Sequence, residues 1–433
     1  MLYLNEAEDS FERLTNQQLI KEENIKCLFN LLNKNREMAR ADMVRMTGLS
    51  PTTVSALVDE LVRENLVLEI GYAKTVQTGR KPINLRINSA GRQIPVFAFS
   101  RWGVRFTLYD LNLNELETLF VEHRSDQYGG FDPETQDANP DAGEDYANLV
   151  RDILLRRSTL FHREISMAIC ISMPGIYLPD REEFSLSALR VTLKKETLQQ
   201  LENEFGMPVF FGNSSQSLAY AEKKYLDGIG DETENMLYIN VCEGVGAGII
   251  QNGEIQGGKH QFAGEIGHVS INYKGKPCSC GGRGCLEQYV NVDAVIERIS
   301  QIAAFNSSGI LGASSGEMEN LSLEKIGSAY DAGDKEIVNA VDDIASQLFV
   351  GIYSVVCITG IRKVVVGGGI EKLGQGFLRK LRSLAGRTET NLLMHGLTID
   401  YASLSSDNIG MGVAQYFIDK KFEIGKRKRQ KIQ

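Results

Sequence analysis

Nowhere among the 433 residues do about 18 apolar residues follow one another, the length a hydrocarbon core demands of a spanning helix. The opening MLYLNEAEDSFERL also lacks a basic region followed by an apolar run. Neither a secretory leader nor a membrane partner is expected, and the cytoplasm is the expected compartment. Cysteine is sparse. Seven is an odd number for a disulfide framework, and three of the seven crowd between Cys278 and Cys285, which suggests a metal. No internal repeat of short period appears. Positive charge is in deficit overall: a formal net charge of -9 argues against coating nucleic acid with the whole surface, but says little about a local basic element.

The apolar content is 42% in a chain too long for one compact core, so two or three domains are expected. Charge divides the chain near residue 90. Between Gln17 and Ala90 the basic residues, Arg40, Arg45, Arg63, Lys74, Arg80, Lys81 and Arg86 among them, outnumber the acids, whereas the remainder is acidic. The expected domains are therefore 1–90 and 91–433.

In the first, Ile25, Leu28, Phe29 and Leu32 recur at helical spacing until Asn33 to Asn35 interrupt them. A second short helix, Ala41 to Thr47, ends at Gly48, and Ser50-Pro51 opens a third. Its apolar stripe, Val54, Leu57, Val58, Leu61 and Val62, leaves Thr52, Thr53, Ser55 and Asp59 on another face, where small polar side chains suit a helix entering a major groove. Two β-prone runs follow in LVLEIGYAKTVQTGRKPINLRIN, separated by a polar loop with Arg80 and Lys81 at its tip. A winged helix-turn-helix contacting double-stranded DNA through Ser50, Thr52, Thr53, Ser55, Arg80 and Lys81 is the expectation. A small helical packing module without a ligand is the bland alternative.

From Pro95 onward, strand-like runs such as VFAFS, MAICIS, MLYINV and KVVVGGG alternate with helix-like stretches, the pattern of an α/β protein. A strand-rich start recurs near Met236, which suits two similar lobes with a cleft between them. The most specific motif is GEIGHVSINYKGKPCSCGGRGCLE. His268, Cys278, Cys280 and Cys285 supply one imidazole and three thiols, a set that fits structural Zn2+ with no open position.

These stretches, with NQQLIKEENIKCLFNLL, GRKP, MPG and GVGAGII, jointly resemble a ROK-family transcriptional regulator over nearly the whole chain. The resemblance implies an actin-like, two-lobed sugar-kinase fold with sugar bound in the cleft beside the zinc loop. It also implies that catalysis is lost. Where family kinases carry a DxGGTK-like loop, this chain reads AFSRWG, Ala98 to Gly103, and Trp102 is expected to fill the phosphate's space. The second phosphate loop reads VCEGVGAG, keeping Gly244, Gly246 and Gly248 but placing Glu243 where a threonine is usual. The END motif reads Gly212-Asn213-Ser214, with serine in place of the general base. Asn213, Glu265, His268 and Glu287 match the family's sugar-contacting positions. Each has a plainer role open to it: Glu265 as a helix cap, His268 as a metal ligand only, Glu287 as a solvated helix residue.

The expected protein is thus a homodimeric, or tetrameric, repressor of carbohydrate-metabolism genes relieved by a sugar or sugar derivative, and not an enzyme. A domain that answers to a protein partner, and an active sugar kinase, are the alternatives.

Overall fold

The computed structural model describes residues 2–3, 16–72, 83–122, 142–186, 191–231, 233–258, 262–305, 321–386 and 394–423. Lys74, Arg80 and Lys81 lie outside them. After a two-residue strand, β1 (Leu2–Tyr3), comes α1 (Asn16–Asn35), which buries Leu28, Phe29, Leu31 and Leu32. A three-residue strand, β2 (Glu37–Ala39), leads into α2 (Arg40–Thr47), which ends at Gly48. Ser50 then opens α3 (Pro51–Arg63): its Oγ accepts the Thr53 N–H at 3.1 Å, satisfying a first-turn donor that the helix cannot pair itself. Val54, Leu57, Val58 and Leu61 are buried, as the period implies, and Val62 is half-buried. Strands β3 (Val67–Tyr72) and β4 (Ile83–Ile87) pair antiparallel, and β2 adds to β4, giving the order β2-β4-β3.

Two lobes of one topology follow. The first contains β5 (Gln93–Ser100), β6 (Gly103–Asp110), β7 (Glu115–Glu122), α4 (Ala142–Asp152), β8 (Ile169–Met173), a small sheet of β9 (Ile176–Leu178), β10 (Glu183–Leu186) and β11 (Val191–Lys194), then α5 (Lys195–Phe205) and β12 (Val209–Asn213). Helix α6 (Ser214–Gly228) crosses to the second lobe, which holds β13 (Met236–Val241), β14 (Val245–Gln251), β15 (Glu254–Ile255), α7 (Glu287–Val290), α8 (Val292–Phe305), α9 (Leu323–Asp331), α10 (Lys335–Thr359), β16 (Lys363–Gly367), α11 (Gly374–Gly386) and β17 (Thr398–Tyr401). Helix α12 (Ile409–Lys421) returns to the first lobe. The large sheets run β1-β12-β8-β5-β6-β7 and β15-β14-β13-β16-β17. In each, an antiparallel hairpin flanks a central strand that pairs in parallel on its other side. The strand-rich start expected near Met236 is the second copy of this pattern. β1 pairs with β12, Leu2 opposite Phe211, so the first strand joins the lobe sheet rather than the helices of the first 90 residues.

α6 and α12 carry the connections between lobes. They approach so closely that a Cβ on Gly412 would lie 1.9 Å from the Ser217 carbonyl oxygen, which only glycine avoids. Just beyond α12, Phe422 stacks on Phe29 of α1, with ring centroids 3.7 Å apart and planes 12° from parallel, while Asn30 Nδ2 donates to the Phe422 carbonyl at 2.7 Å. One apolar core accordingly includes Leu28, Phe29 and Leu57 together with Val413, Phe417 and Phe422. Helix α10 is long and apolar enough to cross a membrane, by length and composition alone. Its Val341, Ile344, Leu348, Ile352 and Val356 lie at the centre of the second lobe's core.

Candidate ligand cleft and metal cluster

The carboxyl ends of parallel strands in an open sheet leave unpaired backbone and diverging loops, the usual place for a ligand. Here the ends of β8, β12, β13 and β16 face one another across the lobes and open on a cleft of about 690 Å³. Asn213, Glu265, His268 and Glu287 all line it, although they come from four different segments. Ser406, Asp407 and Ile409, at the start of α12, line it too.

Asn213 is largely committed to structure. Its Oδ1 accepts the N–H groups of Ser215 (2.9 Å) and Gln216 (3.2 Å) as the cap of α6, and its Nδ2 donates to the Gly175 carbonyl at 2.9 Å. One amide proton remains for a ligand. Glu265 occupies the N-cap position of a short turn, Ile266–His268, but its side chain makes no cap hydrogen bond. Burial, then the like charge of Glu287, raises its carboxyl above the usual range, against the pull of His268. Glu287 begins α7, half-buried, with Oε1 3.1 Å from Cys278 Sγ and 3.5 Å from His268 Nδ1.

Two polar atoms of the cleft lack a hydrogen-bond partner among the described residues: Ser214 Oγ and Asn240 Oδ1, both buried. Leaving such atoms dry and unpaired is costly, which makes them candidate ligand contacts. Ser214 stands where the resemblance places the general base of the kinases. Asn240 escaped sequence reading because a single asparagine in the apolar run MLYINV carries no periodic signal.

Two of the three retained glycines of VCEGVGAG have a packing explanation, whereas a Cβ on Gly244 would meet only Glu287 Oε2, at 3.9 Å. A Cβ on Gly248 would lie 2.2 Å from Ala219 Cβ, and one on Gly246 would lie 2.4 Å from Ser215 Oγ, so β14 needs glycine to lie against α6 whether or not phosphate binds. The expectation for Trp102 is corrected: it is 48% exposed and absent from the cleft lining. Its neighbour Arg101 crosses instead, donating to both Asp293 carboxylate oxygens in α8 (2.6 and 2.9 Å) with its guanidinium 4.6 Å from the Trp102 ring centroid. Arg105 makes a second ion pair, with Asp407 at 2.8 Å.

Below the cleft, one ligand atom from each of His268, Cys278, Cys280 and Cys285 falls within 4.8 Å of the others. Cys278 Sγ lies 3.6 Å from His268 Nδ1, and Cys280 Sγ lies 3.6 Å from Cys285 Sγ. Tetrahedral zinc with Zn–S near 2.3 Å has ligand-to-ligand edges of about 3.5–3.8 Å, so the cluster fits that ion. His268 turns Nδ1 to the cluster and Nε2 toward Glu265, whose Oε2 is 3.8 Å away. Burial raises the Cys278 and Cys285 thiols. At Cys280 desolvation is outweighed by the Gly282 N–H, which donates to Sγ at 3.4 Å, and by the adjoining thiols, and its pKa falls.

On the N-terminal module, Ser50 and Thr52 are exposed, Thr53 and Ser55 half-buried. Ser50 Oγ lies 2.8 Å from Thr52 Oγ1 and 2.7 Å from Thr53 Oγ1. Arg40, at the start of α2, donates to Ser55 Oγ at 2.9 Å and pairs with Asp59 (2.7 Å) and Glu69 (2.8 Å), tying together α2, α3 and β3. That role was not legible beforehand, because three partners at separations of 15 to 29 residues meet only in the fold.

Residues 143–420 match the sequence profile of the ROK family. Over 407 residues the chain is 26% identical to the xylose repressor of Caldicellulosiruptor bescii, covering 92% of this chain and 96% of that one. It is 30% identical over 246 residues to the glucokinase of Halalkalibacterium halodurans, covering 56% of this chain and 74% of the enzyme. Among solved structures, a ROK family transcriptional regulator described as a homologue of the Escherichia coli Mlc protein superposes with a TM-score of 0.72 at 20% identity, over 94% of this chain and 100% of that one. Its likeness supports the two-lobed architecture that the strand orders display. This chain belongs to the ROK family.

Proposed function

We propose that the protein is a DNA-binding transcriptional repressor of carbohydrate-metabolism genes, relieved by a sugar or sugar derivative held between the lobes. The observation that carries this reading is the reach of the similarity. A 407-residue match to a repressor must include most of the first 90 residues, whereas the glucokinase match spans 246 residues. Those first residues form α1 to α3 with the β3–β4 hairpin, which we read as a winged helix-turn-helix with α3 as its recognition helix. Thr52 is the exposed hydroxyl near its start. Ser50 and Ser55 act first as cap and Arg40 partner, while Arg80 and Lys81 are assigned to the wing on sequence grounds.

The kinase-like domain serves as a receptor and not as an enzyme. Ala98 stands at the first phosphate loop, Glu243 faces the second, and Ser214 offers no carboxylate to take a hydroxyl proton. Asn213, Ser214, Asn240, Glu265, His268 and Glu287 bind hydroxyl groups instead. His268, Cys278, Cys280 and Cys285 would hold structural Zn2+, which supplies a fixed anchor for the loop that aims His268 Nε2 at the cleft.

Coupling runs through α12, whose first residues line the cleft and beyond which Phe422 packs on α1. A ligand that shifts the lobes moves the DNA-binding module through this helix. A homodimer, or a tetramer, places two recognition helices on half-sites about 34 Å apart, and a coupling of about 1–3 kcal/mol weakens operator binding roughly 5- to 150-fold. Selection of genomic DNA on the purified full chain tests the reading: fragments sharing an inverted repeat are expected, and unselective recovery would contradict it.

A further inference from the structure

We infer that the effector is an unphosphorylated, hydroxyl-rich sugar and that Glu243 excludes its phosphate esters; the inference rests on the sugar-responsive reading above and narrows it. Among the described residues, the charged groups that line the cleft are mostly acidic. Four carboxylates among the described residues line it, Glu243, Glu265, Glu287 and Asp407, against one guanidinium, Arg105. That guanidinium is held by Asp407 at 2.8 Å. Arg101, outside the lining, gives both terminal nitrogens to Asp293 and keeps only a buried Nε without a partner among the described residues.

The unsatisfied atoms point the same way. Asn240 is 5% exposed, its Nδ2 donates to Ser215 Oγ at 3.2 Å, and its Oδ1 is buried in the lining without a partner. An amide oxygen can only accept. A sugar hydroxyl donates to it and to the carboxylates; a phosphate group brings acceptors alone and a charge of the wrong sign. Ser214 Oγ, 6% exposed in residue terms and also unpaired, adapts to either end of a hydroxyl. The metal cluster does not reverse the balance, because three thiolates outweigh one divalent ion.

Glu243 is the specificity determinant. It follows β13, half-buried, in the stretch where the resemblance places a phosphate loop, and its backbone carbonyl is fixed by Asn291 Nδ2 at 3.2 Å. A carboxylate within that loop repels an anionic substituent most strongly in a desolvated cleft.

The test is calorimetric titration of the zinc-loaded full chain with matched pairs: glucose and glucose 6-phosphate, N-acetylglucosamine and its 6-phosphate, mannose and its 6-phosphate. In any pair that binds, the neutral member is expected to bind at least tenfold tighter. Glu243→Gln should shrink that ratio severalfold, and Glu243→Asp, which keeps the charge, should preserve it. Equal or tighter binding of a phosphate ester would overturn the proposal, as would a Glu243→Gln ratio equal to that of the unaltered chain. If neither member of any pair binds while the chain still selects DNA, the sugar reading itself falls and this proposal with it.

Discussion

Cys280 is the most exposed member of the candidate metal cluster, and its thiol is the one whose surroundings favour the thiolate. Replacing it by serine exchanges a soft anion for a neutral hydroxyl. Cys280→Ser should lower zinc affinity by more than about tenfold and the melting temperature with it. Elemental analysis and thermal denaturation read both, and a full complement of metal in the variant would remove Cys280 from the ligand set. Glu265 belongs to the same scale. It makes no cap hydrogen bond, burial raises its carboxyl, and it lies far from α3, so Glu265→Ala should abolish the response to sugar while operator binding persists. A variant that answers to inducer as the unaltered chain does would exclude Glu265 as a contact.

At the scale of elements, α3 depends on its first residue. Ser50 Oγ satisfies the Thr53 N–H and gathers the hydroxyls of Thr52 and Thr53, so Ser50→Ala should destabilise the N-terminal module by about 1 kcal/mol. Denaturant titration of the full chain, followed by a probe in that module, measures this. An unchanged midpoint would show that the cap is dispensable. The sequence made α3 legible because Ser-Pro, a 3.6-residue apolar stripe and a polar face coincide. β2 was not legible: three residues hold no complete alternation, and the strand exists because β4 offers it an edge. The grouping of His268 with Cys278, Cys280 and Cys285 was readable from spacing, and the place of Glu265 and Glu287 in the cleft lining from motif. Arg40, Arg101, Asp293 and Asn240 were not, because each acts through partners that only the folded chain brings near. Trp102 misled for a related reason. Its bulk sits in the expected loop, but the turn between β5 and β6 leaves the ring outside the cleft and sends Arg101 across.

For the whole molecule, the shared core between α1 and α12 makes the N-terminal module an extension of the two-lobed domain rather than a tethered appendage. Phe422→Ala removes the ring stacked on Phe29 and should cost about 3–5 kcal/mol of packing at that junction, within the range for a buried phenylalanine. Sugar affinity should survive, since the cleft lies at the other end of α12, while the sugar-induced change in operator affinity falls toward onefold. Phe422→Leu, which fills much of the space, should retain part of it. Calorimetry for the sugar and anisotropy for the DNA separate these quantities, and a full response in a folded Phe422→Ala chain would rule out α12 as the route.

The central claim is that the cleft is a receptor that governs DNA binding. The most direct measurement is a fluorescence-anisotropy titration of the full chain on its selected operator, with and without the sugar that calorimetry identifies, alongside an assay for ATP-dependent phosphorylation of that sugar. A roughly 5- to 150-fold weakening of operator affinity is expected, with no sugar phosphate formed. Operator affinity indifferent to a sugar that demonstrably occupies the cleft, or turnover of that sugar with ATP, would contradict it.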